Sequence, residues 1–398
     1  MRIQLQHTYY YPQIGGIESR LYYTSKTLLE MGHEPTILCS RHLSTLPEKE
    51  TYNGIKIIRY PMYRFPKLSV LSQLYFEKML QGFIRRNSKG TEAVWTNHPY
   101  CAYASCKALP KIANIYFQPT IWTNFRAITG KELKGIRRMR FRIRNLFDYY
   151  LEKKSMEMCD KVITFSEERM REIVDFNKLI KGKIEVVRTG VDLERFKVRG
   201  RDKDLLKELN IPENANIILT VCRLALEKNV GMLINAFTKI NCSNCHLVVV
   251  GDGPERAHLE QLVKRLNMEK KVRFTGFRRD TERFYSISDV FVLPSENECF
   301  GLVYLEAMAS GVPCIGLKSD YPNVIVGTEE LIKDGYNGYC VNPYSTDDLT
   351  EKIEKIVLNE ELRCRMGQEA RQICEREYRW KRHVEALIKI TECIRKRK

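Results

Sequence analysis

The chain has 398 residues, enough for two domains, and is 43% hydrophobic and 29% charged, as expected of a globular protein with sizeable cores. That composition excludes a disordered tail, a collagen-like repeat and a disulfide-stapled mini-protein, and no run approaches the roughly 18 apolar residues of a membrane span. The formal charge of +17 is unevenly placed: residues 51–144 hold 18 basic and 3 acidic side chains, a patch that selects anionic partners such as nucleic acid, acidic lipid or a phosphorylated substrate.

Ile3 to Gln6 begins a strand, and polar residues follow Met1 too soon for a secretory leader. A turn-rich stretch, Pro12-Gln-Ile-Gly15-Gly16-Ile-Glu18, leads into a helix whose face carries Ile17, Leu21, Leu28 and Leu29 and which Gly32 closes. Paired glycines directly before a helix let a backbone approach a phosphate or a sugar closely. Pro35 to Cys39 resumes an extended run. An amphipathic run, Leu68 to Ile84, is bordered by Lys67, Lys78, Arg85 and Arg86. Strand Ala93–Thr96 is followed by His98. Between 131 and 146, Arg137, Arg138, Arg140, Arg142 and Arg144 alternate with Met139, Phe141, Ile143 and Leu146, and Lys161–Phe165 is again a strand. Thirteen cysteines is an odd number, which fits a reduced, cytoplasmic setting.

A polar stretch from Arg199 and a break at Pro212 place a boundary near 190–212. The expected division is therefore 1–195, 196–376 and a last helical segment, 377–398, crossing back to the first domain. Asp202-Lys-Asp204 has the form of a metal-binding acid pair, but its position just before Leu205-Leu206 suits a helix cap better. Beyond it, strands (Ile217–Cys222, His246–Val250, Val272–Phe277, Val290–Leu293, Pro313–Leu317) alternate with helices (Val230–Ile240, Glu255–Leu266). Such alternation argues an α/β fold of two Rossmann-like doubly wound domains facing a central cleft, with ligands at the carboxyl ends of the strands. Cys242-Ser-Asn-Cys245 lacks the second ligand pair a zinc site needs and is read as two inert loop thiols.

The densest chemistry lies in Ser295-Glu-Asn-Glu298-Cys-Phe300-Gly301-Leu302-Val-Tyr-Leu-Glu306-Ala-Met-Ala-Ser-Gly311-Val-Pro313. A helix starting after a glycine at a strand's carboxyl end is an anion site, because free N–H groups and the positive dipole end both point outward. Carboxylates beside such a site make sense where they accept hydroxyl hydrogen bonds, and sugars supply those.

Glu298 and Glu306, with the flanking Glu-Ala-Met-Ala-x-Gly-x-Pro, resemble the E-x7-E motif of retaining GT-B glycosyltransferases, family 4. Arg223-Leu-Ala-Leu-Glu-Lys228-Asn229 is similar to that family's R-L-x-x-E-K-G, with Asn229 in place of glycine. Pro12 to Glu18 resembles its P-x-x-G-G-x-E loop, and Gly251-Asp-Gly253-Pro254 its G-x-G-P. The resemblance implies that Arg223 and Lys228 hold a donor's diphosphate, helped by the helix after Gly301, with Phe300 and Leu302 beside it. It further implies that Glu298 orients donor-sugar hydroxyls, that Glu306 accepts ribose hydroxyls, and that Gly15, Gly16 and Gly253 approach the donor. Gly276 and Phe277 then meet the nucleotide base, and His98 joins the catalytic set. Two departures stand out: Lys318–Gly327 is a longer loop than the family's, and Phe117-Gln118-Pro119-Thr120 lacks the histidine many members carry.

The implied substrates are a UDP- or GDP-linked sugar and a glycan or lipid-linked acceptor of cell-surface polysaccharide or glycolipid synthesis, with no cofactor and no metal. Residues 67–86 and 131–146 are expected to meet an anionic membrane surface at the inner face of the cell membrane. An epimerase or hydrolase on the same fold would share the donor residues. A nucleic-acid-binding role, without any RRM, KH or zinc-finger pattern, would leave the paired glutamates unexplained, and no nucleic-acid partner is expected.

Overall fold

The structure, a computed structural model, describes residues 1–12, 15–61, 70–121 and 135–398, without the side chains of 70–74, 135–142 and 144. The chain forms two units, one of Met1–Val187 with His383–Lys398 and one of Arg188–Arg382. The first thus ends eight residues before the expected 195, and the last segment rejoins it from 383 rather than 377.

In the first unit the strands are β1 (Arg2–Gln6), β2 (Glu34–Arg41), β3 (Lys49–Tyr52), β4 (Ile55–Pro61), β5 (Ala93–Thr96), β6 (Ala113–Phe117), β7 (Lys161–Thr164) and β8 (Ile184–Val186). They form one sheet in the order β3-β4-β2-β1-β5-β6-β7-β8. Every pairing is parallel except β3 with β4, a hairpin the sequence reading passed over. Its turn is Asn53-Gly54, both at positive φ, the dipeptide that a two-residue hairpin favours. β5 and β6 are buried at every residue, as strands covered on both faces must be, which explains their unbroken apolar runs. Trp95 on β5 is fully buried, and its Nε1 donates to Thr391 Oγ1 at 3.1 Å, holding the helix Trp380–Arg395 in this unit.

In the second unit the strands are β9 (Asn216–Val221), β10 (Cys245–Val250), β11 (Val272–Gly276), β12 (Val290–Leu293), β14 (Cys314–Leu317) and β16 (Gly338–Val341), in the order β11-β10-β9-β12-β14-β16. A separate ribbon pairs β13 (Asn297–Glu298) with β15 (Ile325–Val326). Leu247, Val249, Val292 and Ile315 meet Leu233 and Phe237 of the helix Val230–Lys239 in the core. The third strand of this sheet lies outermost on one side and the first beside the fourth, so the strand order reverses between β9 and β12. At that reversal two neighbouring loops diverge and leave a crevice at the carboxyl edge. In the first unit the equivalent reversal falls between β1 and β5.

One expectation fails here. Cys242 and Cys245 form a disulfide rather than two free thiols. The turn between the helix Val230–Lys239 and β10 brings their Cα atoms to 5.4 Å, inside disulfide reach, which residue spacing alone does not reveal.

Candidate active site

The crevice of the second unit is walled by the loop after β9, Cys222–Asn229, and the loop after β12, Pro294–Gly301. The two are stitched together by backbone: Glu296 N–H donates to the Glu227 carbonyl at 2.9 Å, and Ser295 Oγ donates to the same oxygen at 3.1 Å. Across this seam Lys228 Nζ donates to Glu298 Oε2 at 2.5 Å and lies 3.5 Å from Ser295 Oγ. Both side chains of the ion pair are 17% exposed. Burial works against the Lys228 charge, but Glu298 more than offsets it, and the lysine is held above its ordinary pKa. Arg223, more exposed, donates to Glu227 Oε1 at 3.0 Å.

Local backbone explains these positions. Asn229 sits in the left-handed region at φ 49°, where the related motif carries glycine. Asparagine tolerates that conformation better than other side chains, and its Nδ2 donates to Glu296 Oε1 at 3.1 Å. Glu298 is fixed by the β13–β15 ribbon, which pairs it with Val326. The loop Lys318–Gly327, where the sequence departs from the family pattern, therefore supplies the strand that holds this glutamate. Gly301 has φ 74° and precedes the helix Leu302–Ala309, and a side chain there would press on Tyr304. The Tyr304 hydroxyl donates to the Leu293 carbonyl at 2.5 Å, anchoring the helix start to the end of β12. Phe300 is buried and packs against Tyr378 at 5.8 Å between centroids, and Leu302 opens the helix.

Glu306 lies further along the same helix and accepts from the Tyr285 hydroxyl at 3.1 Å. Burial raises its pKa to about 7, while Tyr285 and the Arg195 charge pull the other way. Burial likewise pushes the nearby Cys222 thiol up to about 12, which makes it a poor nucleophile.

Gly253 has a packing duty. A Cβ there would lie 2.2 Å from the Leu224 carbonyl. That carbonyl accepts from Glu255 N–H at 3.0 Å, and Leu224 N–H donates to the Asp252 carbonyl at 3.0 Å. The glycine lets the loop after β10 pack on the loop carrying Arg223. Gly276 ends β11, its carbonyl accepting from Gly251 N–H at 2.9 Å, and the Phe277 ring beside it is 58% exposed. Asp202 caps the helix Lys203–Glu208 by accepting from Leu205 N–H at 2.9 Å and pairs with Arg283 at 2.6 Å.

In the first unit Gly15 and Gly16 open the helix Gly16–Glu30. His98 caps the helix Pro99–Ala108, its Nδ1 accepting from Tyr100 N–H at 3.3 Å. His7, at the end of β1, has its ring 6.2 Å from that of His98. Burial, aided by the Arg20 charge, lowers its pKa to about 4. Arg20 bonds Asn97 and lies over the rings of Phe117 and Phe165 at 4.8 and 4.5 Å. Gln118, where the family pattern has histidine, donates to Glu152 Oε1 at 2.6 Å.

The sequence reading missed Ser295, Glu227 and Tyr285, which position the cations and the second glutamate. Two polar residues flanking proline and lysine gave a weak signal for the first two; Tyr285 gave none. Among the described residues no group of three or more His, Cys, Asp and Glu side chains gathers as metal ligands would. Two cations, a carboxylate and a helix N-terminus at one crevice, with a second carboxylate further along that helix, form an arrangement able to take a diphosphate flanked by hydroxyl-bearing groups.

Residues 202–373 match the family described as glycosyl transferases group 1, and residues 14–195 match glycosyltransferase family 4. The chain is 28% identical to the N-acetyl-alpha-D-glucosaminyl L-malate synthase of Bacillus anthracis over 93% of its own length and 91% of the relative's. It is 24% identical to the alpha-monoglucosyldiacylglycerol synthase of Acholeplasma laidlawii, covering 91% and 89%. In fold it is similar to the sucrose-phosphate synthase of Thermosynechococcus elongatus, with TM-score 0.80, 19% identity and coverage of 99% and 98%. Another such neighbour is Anabaena HepE in complex with UDP-glucose, with TM-score 0.78, 18% identity and coverage of 99% and 100%. With the two family matches spanning nearly the whole sequence, the chain belongs to the group 1 glycosyl transferases and is a glycosyltransferase of the GT-B fold.

Proposed function

We propose that this enzyme transfers a sugar, with retention at the anomeric carbon, from a UDP- or GDP-linked donor to a glycan or lipid-linked acceptor. One observation carries the reading: at the strand-order reversal of the second unit, Arg223, Lys228, Glu298 and the helix start after Gly301 share one crevice. In this reading Arg223, Lys228 and that helix start take the diphosphate, whose charge grows as the sugar leaves. Glu298 orients the sugar and Glu306 accepts the ribose hydroxyls. Gly253, Gly276 and Phe277 line the nucleotide side. Basic side chains and a helix terminus neutralise the leaving group, so no metal is required and no cofactor enters. Retention follows a front-face course in which the leaving phosphate takes the acceptor's proton. His98, with Gly15 and Gly16, stands at the first unit's own strand-order reversal and is assigned to the reacting sugars. The UDP-glucose complex of HepE and the glycolipid-forming Acholeplasma relative support the donor and acceptor classes.

We assign the enzyme to the cytoplasmic face of a membrane, without a nucleic-acid partner. Tyr75, Ile143, Leu146 and Tyr150 are at least half exposed on the helices Val70–Asn87 and Gly135–Met158, and Lys78, Arg85 and Arg86 are exposed beside them. Phe83 of the expected amphipathic run faces the core instead. Lys67 and the side chains of Arg137 to Arg142 and of Arg144 lie outside the described residues. No helix among the described residues is long and apolar enough to cross a membrane. The test is thermal stabilisation by a panel of nucleotide sugars, followed by product analysis with the stabilising donor. A transferred sugar supports the reading; an isomerised or merely freed sugar overturns it.

A further inference from the structure

In this structure the lysine assigned to the diphosphate and the glutamate assigned to the sugar are bonded to each other. Lys228 Nζ and Glu298 Oε2 are 2.5 Å apart and largely withdrawn from solvent. The ribbon through Val326 fixes the glutamate's backbone, and Ser295 Oγ lies 3.5 Å from the ammonium. A bound diphosphate and Glu298 therefore compete for one cation. An intact nucleotide sugar resolves that competition, because its hydroxyls replace the ammonium as donors to Glu298. A bare nucleoside diphosphate draws Lys228 away and offers Glu298 nothing, leaving a partly buried carboxylate uncompensated beside a polyanion.

Resting on the donor reading above, we propose that the Lys228–Glu298 pair is a latch that selects sugar-loaded over spent nucleotide. Once the sugar has left, Glu298 reclaims Lys228 and drives the diphosphate product out. The carboxylate thus has a second role beside orienting the sugar: it weakens product binding.

The test is calorimetric titration of UDP, UDP-glucose, GDP and GDP-mannose into the wild-type chain and into Glu298→Gln, Lys228→Ala and the double variant. Glu298→Ala serves as a second variant, and melting temperatures verify folding. Expected is an inversion of sign: removing the carboxylate tightens the nucleoside diphosphate about tenfold while weakening its sugar-linked form. The gain should vanish in the Lys228→Ala background, since there is then no cation to contest. Simple repulsion between Glu298 and the diphosphate would instead leave the gain intact, or enlarge it, without Lys228. An unchanged or weakened affinity of Glu298→Gln for the diphosphate, or a gain that survives Lys228→Ala, overturns the latch while leaving the donor site standing. Failure of UDP, GDP and both sugar-linked forms alike to bind the wild type overturns the donor reading and the latch with it.

Discussion

The sheets of the two units each reverse their strand order once, and the crevices at those reversals are furnished in opposite ways. In the second unit the loops after β9 and β12 present charge, Arg223 paired with Glu227 and Lys228 with Glu298, along a seam closed on the Glu227 carbonyl. In the first unit the residues after β1 and β5 are drawn into the fold. His98 caps a helix, Asn97 binds Arg20, and His7 is buried. One sheet architecture thus gives a charged ligand cradle in one place and a rigid polar wall in the other, and the difference lies in what each loop side chain is already bonded to.

The sharpest way to break that comparison is to delete one residue from each crevice. Glu298→Ala should lower transfer by about 100-fold or more, because a preorganised partner of the reacting sugar is lost, and should also lower the melting temperature, because Lys228 is left largely buried without its carboxylate. His98→Ala should lower stability by about 1 kcal/mol, the cost of an N-cap, with a smaller loss of activity. Equal activity losses in the two variants would erase the distinction.

Gly253→Ala should destabilise by roughly 1–3 kcal/mol, since its Cβ would meet the Leu224 carbonyl head-on and the two loops would have to separate. Urea unfolding reads this directly. An unchanged midpoint would return Gly253 to a purely ligand-facing role.

The buried titratable groups of the two crevices also lean in opposite directions. Glu306 holds its proton up to about pH 7 against an ordinary 4.5, because it is buried. It binds the proton more tightly folded than unfolded, so its contribution to stability falls as pH rises from about 4.5 through about 7. His7, buried and beside Arg20, titrates at about 4 against an ordinary 6.5. Its contribution is complete above about 6.5 and is lost as pH falls towards about 4. Melting temperatures across this range should show a smaller loss above about pH 5 in Glu306→Gln and a smaller acid loss in His7→Gln. Parallel pH profiles for both variants and the wild type would contradict these burials.

The smallest effect concerns Asn229. Asn229→Gly should be neutral within about 0.5 kcal/mol, while Asn229→Val, a β-branched residue at φ 49°, should cost about 1–2 kcal/mol in urea unfolding. Indifference to valine would mean that the left-handed turn before the helix is not maintained.

How far these features are legible in the sequence depends on their range. Arg223, Lys228 and Glu298 fall on short segments joining a strand to a helix, and Glu306 in the helix that one of them leads into, so apolar runs and glycines place them without long-range knowledge. The β13–β15 ribbon was not legible, because two-residue strands have no periodicity and Glu298 meets Val326 only through tertiary structure. The Cys242–Cys245 disulfide depends on a turn, and Tyr285 reaches Glu306 from a different helix. The β3–β4 hairpin carried a readable signal in Asn53-Gly54. Gly253 shows the converse, a motif residue whose structural duty is packing against a neighbouring loop.

The most direct test of the account is a hydrogen-exchange footprint of UDP and of GDP on the intact enzyme. The account predicts protection centred on Cys222–Asn229 and on Ser295–Leu305, with the residues after β1 and β5 unchanged. Protection at His7–Glu18 and Asn97–Tyr100, with none in the second unit, would contradict it.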